Sequence, residues 1–79
     1  MQYGATFVLS DMAETTQHTL AIDAKSDNAA ITKAKKWASK ILQEKNPHAR
    51  TRLYVTGGDP AKPCDYTGSW EQGRYWMTM

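Results

Sequence analysis

SDNAAITKAKKWASKILQEKNP, residues 26–47, is the stretch that decides the fold. At 100° per residue, Ala30, Ile31, Ala34, Trp37, Ala38, Ile41 and Leu42 fall on one continuous apolar face, the mark of a helix lying on an apolar surface. Ser26 or Asp27 supplies the N-cap, because a side-chain oxygen there accepts from the free amides of the first turn. Asn46-Pro47 ends the helix, since proline has no amide hydrogen and disfavours helical backbone in the residue before it. The small alanines at 30, 34 and 38 allow close approach to something flat, which is a sheet.

The sequence on either side supplies that sheet. Tyr3, Ala5, Phe7 and Leu9 alternate with Thr6 and Val8, and His18, Leu20, Ile22 and Ala24 alternate with Gln17, Thr19, Ala21 and Asp23. Period-two alternation reads as two strands, hairpinned through a polar turn over 11–15. After the helix, Arg50, Arg52 and Tyr54 alternate with Thr51, Leu53 and Val55, a strand with an apolar inner face and a basic, aromatic outer one. Gly57-Gly58-Asp59-Pro60 closes it, and the segment to Asp65, with Pro60 and Pro63, reads as an exposed loop with the most freedom in the chain.

Residues 66–77 read as a closing hairpin with the connection Glu71-Gln72-Gly73, glycine last, flanked by Trp70 and Arg74. The expected architecture is one α+β domain over residues 1–79. It is a single antiparallel sheet of four to five strands with one helix on one face, in the order ββαβββ. One helix covers one face of such a sheet, so the second face is solvated or bound to a partner, and function belongs there.

Composition narrows the classes. With 79 residues, 41% of them hydrophobic and eight aromatic, the chain is a folded domain near the size at which a single core just suffices. Between Lys25 and Arg52, eight bases face only Asp27 and Glu44; that window carries +6 and the remainder −4, so a net +2 hides a dipolar chain. Such asymmetry points to an acidic protein or nucleic acid as partner rather than to a reaction. No run of residues has the length and apolarity of a membrane span, and a lone Cys64 suits a reducing compartment; a soluble protein without membrane partners is expected.

No reactive constellation accompanies these features. His18 and His48 have no ligand partner at helical or hairpin spacing, and Cys64 reads as a free loop thiol without a neighbouring base. Asp59 and Asp65 share the loop without an apolar pocket to separate their titrations. Gly57-Gly58-Asp59-Pro60 lacks the lysine and following helix of a phosphate-binding loop. Catalytic residues, metal ligands and cofactors are therefore not expected.

Two surfaces remain as candidates. Lys33, Lys36 and Lys40 lie within about 60° of one another opposite the helix's apolar arc, with Lys35 to one side, where they would meet phosphates or carboxylates or simply be solvated. Arg50, Arg52 and Tyr54, joined by Arg74 or Trp76 according to register, would project from the open sheet face; arginine and aromatics are the residue types enriched at protein hot spots and on stacking surfaces for bases. The bland alternative is that Trp37 and Trp70 complete the core while Trp76 caps a sheet edge.

The arrangement resembles that of small phage-encoded anti-CRISPR proteins: an N-terminal strand pair, a helix entered through Lys25-Ser26-Asp27, and strands ending in the aromatic hairpin Glu71-Gln72-Gly73-Arg74-Tyr75-Trp76-Met77. The resemblance is to a type I inhibitor plan and spans most of the chain, with no counterpart for the 57–65 loop. It implies a non-enzymatic inhibitor in the host cytoplasm that binds a CRISPR–Cas ribonucleoprotein and sterically blocks its nucleic-acid path. A basic chain is not a simple DNA mimic, so acidic protein or complex-held nucleic acid would be the contact. Two other readings stand beside it: a stand-alone nucleic-acid-binding domain, and a homodimer with the open sheet face as its interface.

Overall fold

The computed structural model describes residues 1–10 and 14–79. Five strands and one helix follow in the order β1 (Gln2–Ser10), β2 (Thr15–Asp23), α1 (Asp27–Lys45), β3 (Arg52–Gly57), β4 (Cys64–Glu71) and β5 (Tyr75–Thr78). The strands form one antiparallel sheet in the order β2-β1-β3-β4-β5, with α1 packed on one face. The expected α+β plan is thus the one observed. The turn expected over 11–15 lies largely outside the described residues, and Thr15 already pairs with Ser10 in β2.

Ser26 is the N-cap: its hydroxyl oxygen accepts from the Ala29 amide at 3.2 Å, and Asp27 occupies the first turn, where a negative charge meets the positive end of the helix dipole. At the other end the Asn46 amide still bonds the Leu42 carbonyl before Pro47 stops the ladder. The alanine stripe works as the sequence suggests. Ala30, Ala34, Ala38 and Leu42 are buried against the sheet, and Ile31, Trp37 and Ile41 flank them half-buried.

Alternation carries Tyr3, Ala5, Phe7 and Leu9 of β1 to the helix side together with Ile22, Leu53, Val55, Tyr66 and Trp70. Phe7, Leu42, Leu53 and Val55 are fully enclosed, each such burial being worth about 1.5–3 kcal/mol. Phe7 stacks on His18 with ring centroids 4.9 Å apart and meets Trp37 edge-on at 5.2 Å. The helix's first turn is tied down by the Tyr3 hydroxyl, which donates to Asp27 Oδ1 at 2.8 Å.

The closing hairpin differs from the expectation in one detail. Its connection is Gln72-Gly73-Arg74, with Glu71 and Tyr75 as the flanking pair, so glycine is central and Arg74 belongs to the turn. Gln72 and Gly73 both have positive φ, 55° and 67°, a twist sense that suits a hairpin, and the Arg74 amide closes the turn on the Glu71 carbonyl at 3.0 Å. Strand β4 also begins earlier than expected, at Cys64, which leaves this thiol buried in the core rather than free in a loop. The 57–65 loop is anchored: the Gly58 amide bonds the Gln2 carbonyl at 2.8 Å, and Asp59 accepts from Ala61 through its side chain and from Lys62 through its backbone.

Candidate binding surfaces

The eight bases that cluster in sequence do not form one patch. Lys36 and Lys40 are exposed on α1, which lies against the inner face of the sheet, whereas Arg52 belongs to the alternate set of β3 residues and projects from the opposite face. The two candidate surfaces therefore point in opposite directions, and a compact partner meets one or the other.

On the helix side, Lys33 Nζ donates to the Asp23 carbonyl at 3.0 Å, and the Lys35 amine sits 5.3 Å from the centre of the Tyr66 ring, a cation–π contact. Two of the lysines are thus occupied in bracing the chain's own structure. Lys36 and Lys40 remain exposed.

On the bare face, β1 and β3 to β5 present Thr6, Val8, Arg52, Tyr54, Thr56, Asp65, Thr67, Ser69, Glu71, Tyr75 and Met77, by the registers Thr6↔Tyr54↔Thr67, Arg52↔Ser69↔Met77 and Glu71↔Tyr75. Arg50, Arg52 and Tyr54 line an open cleft of about 640 Å³ together with Ser69 and Glu71. The Ser69 hydroxyl donates to Glu71 Oε1 at 3.3 Å, so the cleft holds an acid as well as two arginines. Its floor is fixed from both sides: Thr51 Oγ1 donates to the Val8 carbonyl at 2.6 Å, and the Trp70 amide donates to the Thr51 carbonyl at 3.0 Å.

Trp76 does not join this surface. Its cross-strand partner is Trp70, which is buried, and the two indoles meet at 4.9 Å on the helix side, where Trp76 Nε1 donates to Ser39 Oγ. Arg74 is exposed in the turn and does not line the Arg50–Arg52–Tyr54 cleft. Of the expected sheet-face residues, Arg50, Arg52 and Tyr54 converge; Trp76 is a core-edge residue, the bland alternative for this position.

Sequence reading missed Val8, Tyr75 and Met77. Leaving the terminal methionines aside, the large hydrophobic side chains exposed among the described residues are Val8, Tyr54, Tyr75 and Met77, and all four lie on the bare face. The signal was alternation: residues in odd positions of β4 and β5 share the face of Ser69 once Trp70 is assigned to the core.

Cys64 is 6% exposed, and burial pushes its thiol up, with Asp27 and Asp65 adding to the effect. A thiol held protonated in this way is a poor nucleophile. Among the described residues no three metal-binding side chains come together, and no helix is long and apolar enough to cross a membrane. No family model, curated protein or solved structure matches the chain.

Proposed function

We propose that this chain is a non-catalytic binding protein that works through the bare face of its sheet, centred on Arg50, Arg52 and Tyr54. The observation that carries the reading is the gathering of Val8, Tyr54, Tyr75 and Met77 on the one face the helix leaves uncovered. Apolar and aromatic groups beside two arginines form the chemistry of a protein interface, with the aromatics as anchors and the arginines as bidentate donors to carboxylates or phosphates.

In keeping with the anti-CRISPR resemblance, the partner is a CRISPR effector ribonucleoprotein whose nucleic-acid path the bound protein obstructs. Glu71 in the cleft and Asp65 on the same face favour a protein surface over bare phosphates, because an acid facing a phosphate backbone is repelled. The experiment has two arms: binding to naked DNA and RNA at low and physiological salt, and capture of effector complexes by the purified protein. Tight binding to naked nucleic acid that survives physiological salt would make this a stand-alone nucleic-acid-binding domain. Capture of an effector complex that Arg50→Glu with Arg52→Glu abolishes, without such binding, supports the inhibitor reading.

A further inference from the structure

Strand β2 is one edge of the sheet, and which of its backbone groups face outward follows from its bonds to β1. Ala24 exchanges two bonds with Met1, its amide to the Met1 carbonyl at 3.0 Å and its carbonyl to the Met1 amine at 2.9 Å, and the His18 carbonyl accepts from Thr6 Oγ1 across the same seam. Even-numbered residues of β2 therefore turn their backbone toward β1. In an antiparallel strand the intervening residues turn theirs the other way. Thr15, Gln17, Thr19, Ala21 and Asp23 thus present N–H and C=O groups along the open edge.

One of these groups is already taken: the Asp23 carbonyl accepts from Lys33 Nζ. The lysine marks where the open edge stops. What is left, Thr15 to Ala21, is paired with β1 without a bulge, has three β-branched threonines, and contains no proline and no Asp, Glu, Lys or Arg. Bulges, prolines and strongly charged side chains are the devices by which an edge is ordinarily protected from pairing, and this segment lacks them. The opposite edge, β5, is only four residues long.

We infer that two copies of this chain associate edge to edge through β2, antiparallel, about a two-fold axis at His18. That register pairs Thr15 with Ala21 and Gln17 with Thr19 of the second copy. It satisfies the open N–H and C=O groups of all four residues and leaves Asp23 with Lys33. No Asp, Glu, Lys or Arg lies between Thr15 and Ala21, so no such pair of like charges is set face to face across the seam. A second copy fits better than an unrelated strand because the outward set is its own complement under the two-fold. On the helix side, half-buried Leu20 comes opposite Thr16 and His18 opposite its counterpart, which covers apolar edge surface that one copy leaves open. The axis is perpendicular to the sheet, so both bare faces lie on the same side of a continuous ten-stranded sheet. This interface is the edge and is separate from the face used in the proposed function.

Sedimentation equilibrium of the full chain is the test, with two variants. Thr19→Pro removes an outward amide and no bond within the chain's own sheet, as proline is tolerated on that side of an edge strand. It is expected to raise the dimer dissociation constant at least tenfold. His18→Cys in a Cys64→Ala background places two Cα atoms about 4.5 Å apart across the axis, within the roughly 4.4–6.8 Å a disulfide spans, and is expected to oxidise to a covalent dimer. A wild-type chain that stays monomeric to about 1 mM, or a dimer that Thr19→Pro leaves unchanged, overturns the inference. Should the proline variant fail to fold, absence of crosslinking in the cysteine variant overturns it.

Discussion

The indole nitrogen of Trp76 donates to the hydroxyl of Ser39 at 2.9 Å, so the last strand of the sheet is fastened to the middle of the helix. Two further bonds act with it: Trp70 Nε1 donates to the Pro47 carbonyl at 2.8 Å, and Gln43 Nε2 donates to the Gly73 carbonyl at 2.7 Å. The aromatic hairpin is therefore held by α1 through Ser39 and Gln43 and by Pro47 just beyond the helix, and its tryptophans serve stability.

Trp76→Phe keeps most of the packing and loses the hydrogen bond, for an expected cost of about 1 kcal/mol; Trp76→Ala also opens a gap beside Trp70 and should cost about 3 kcal/mol. Urea unfolding checks both. Partner affinity, corrected for the folded fraction, is expected to stay the same, since Trp76 faces away from the cleft.

Charge reversal separates the two basic surfaces. Arg50→Glu with Arg52→Glu is expected to weaken partner binding at least about tenfold, the effect of removing hot-spot contacts, while Lys36→Glu with Lys40→Glu should change it less than about threefold. All four positions are exposed, so unfolding free energies should move by no more than about 0.5 kcal/mol. Titration of each double variant against the captured partner checks the order.

Tyr3 gives the fold an alkaline limit. Burial first, then the hydrogen bond and charge of Asp27, push its phenol from 10.0 up to about 12. The folded state thus prefers the neutral phenol: this contribution is complete below pH 10 and is lost as pH rises through about 12. Tyr3→Phe should be less stable than wild type at neutral pH and should show a shallower fall in melting temperature above pH 10, measured by circular dichroism.

Gly57 sits at φ 106°, and a methyl group there would come within 2.8 Å of the Gln2 carbonyl oxygen. Gly57→Ala therefore combines a disfavoured backbone conformation with a clash against the neighbouring strand, and should cost about 2–3 kcal/mol. Chemical denaturation, with unchanged circular dichroism of the folded baseline, is the check.

Cys64 should react with a disulfide reagent at pH 8 far more slowly in the folded chain than in denaturant, its rate following the extent of unfolding. Rapid labelling of the folded protein would contradict its placement in the core.

Much of this was legible in the sequence. The helix cap at Ser26, the alanine stripe and the alternation in β1 and β3 are local signals, and they placed the layers and the face that carries Arg52 and Tyr54, although β3 begins at Arg52 and leaves Arg50 just outside the strand. Trp76 was not fixed, although a three-residue connection keeps Trp70 and Trp76 on one face whichever residue stands at its centre; what was lacking was the knowledge that Trp70 is inside. The charge cluster misled for a different reason. Proximity in sequence between Lys36 and Arg52 says nothing about side, because the chain leaves the helix and enters the sheet between them. Cys64 was hidden by its prolines, Pro60 and Pro63, whose loop ends one residue before the buried strand begins.

The strand order has a kinetic meaning as well. Strands β1 and β2 are joined by a short link, as are β3, β4 and β5, so each group can zip up locally, but the β1–β3 ladder joins Tyr3 to Gly57 and Phe7 to Leu53 across most of the chain. Closing that ladder is the step that must wait, since loop closure precedes its reward. The nineteen residues of α1, once helical, shorten the intervening tether to a rod of about 28 Å, so early helix formation speeds the meeting of the two halves. Substitutions that weaken α1 on its solvent side should accordingly slow refolding more than they hasten unfolding.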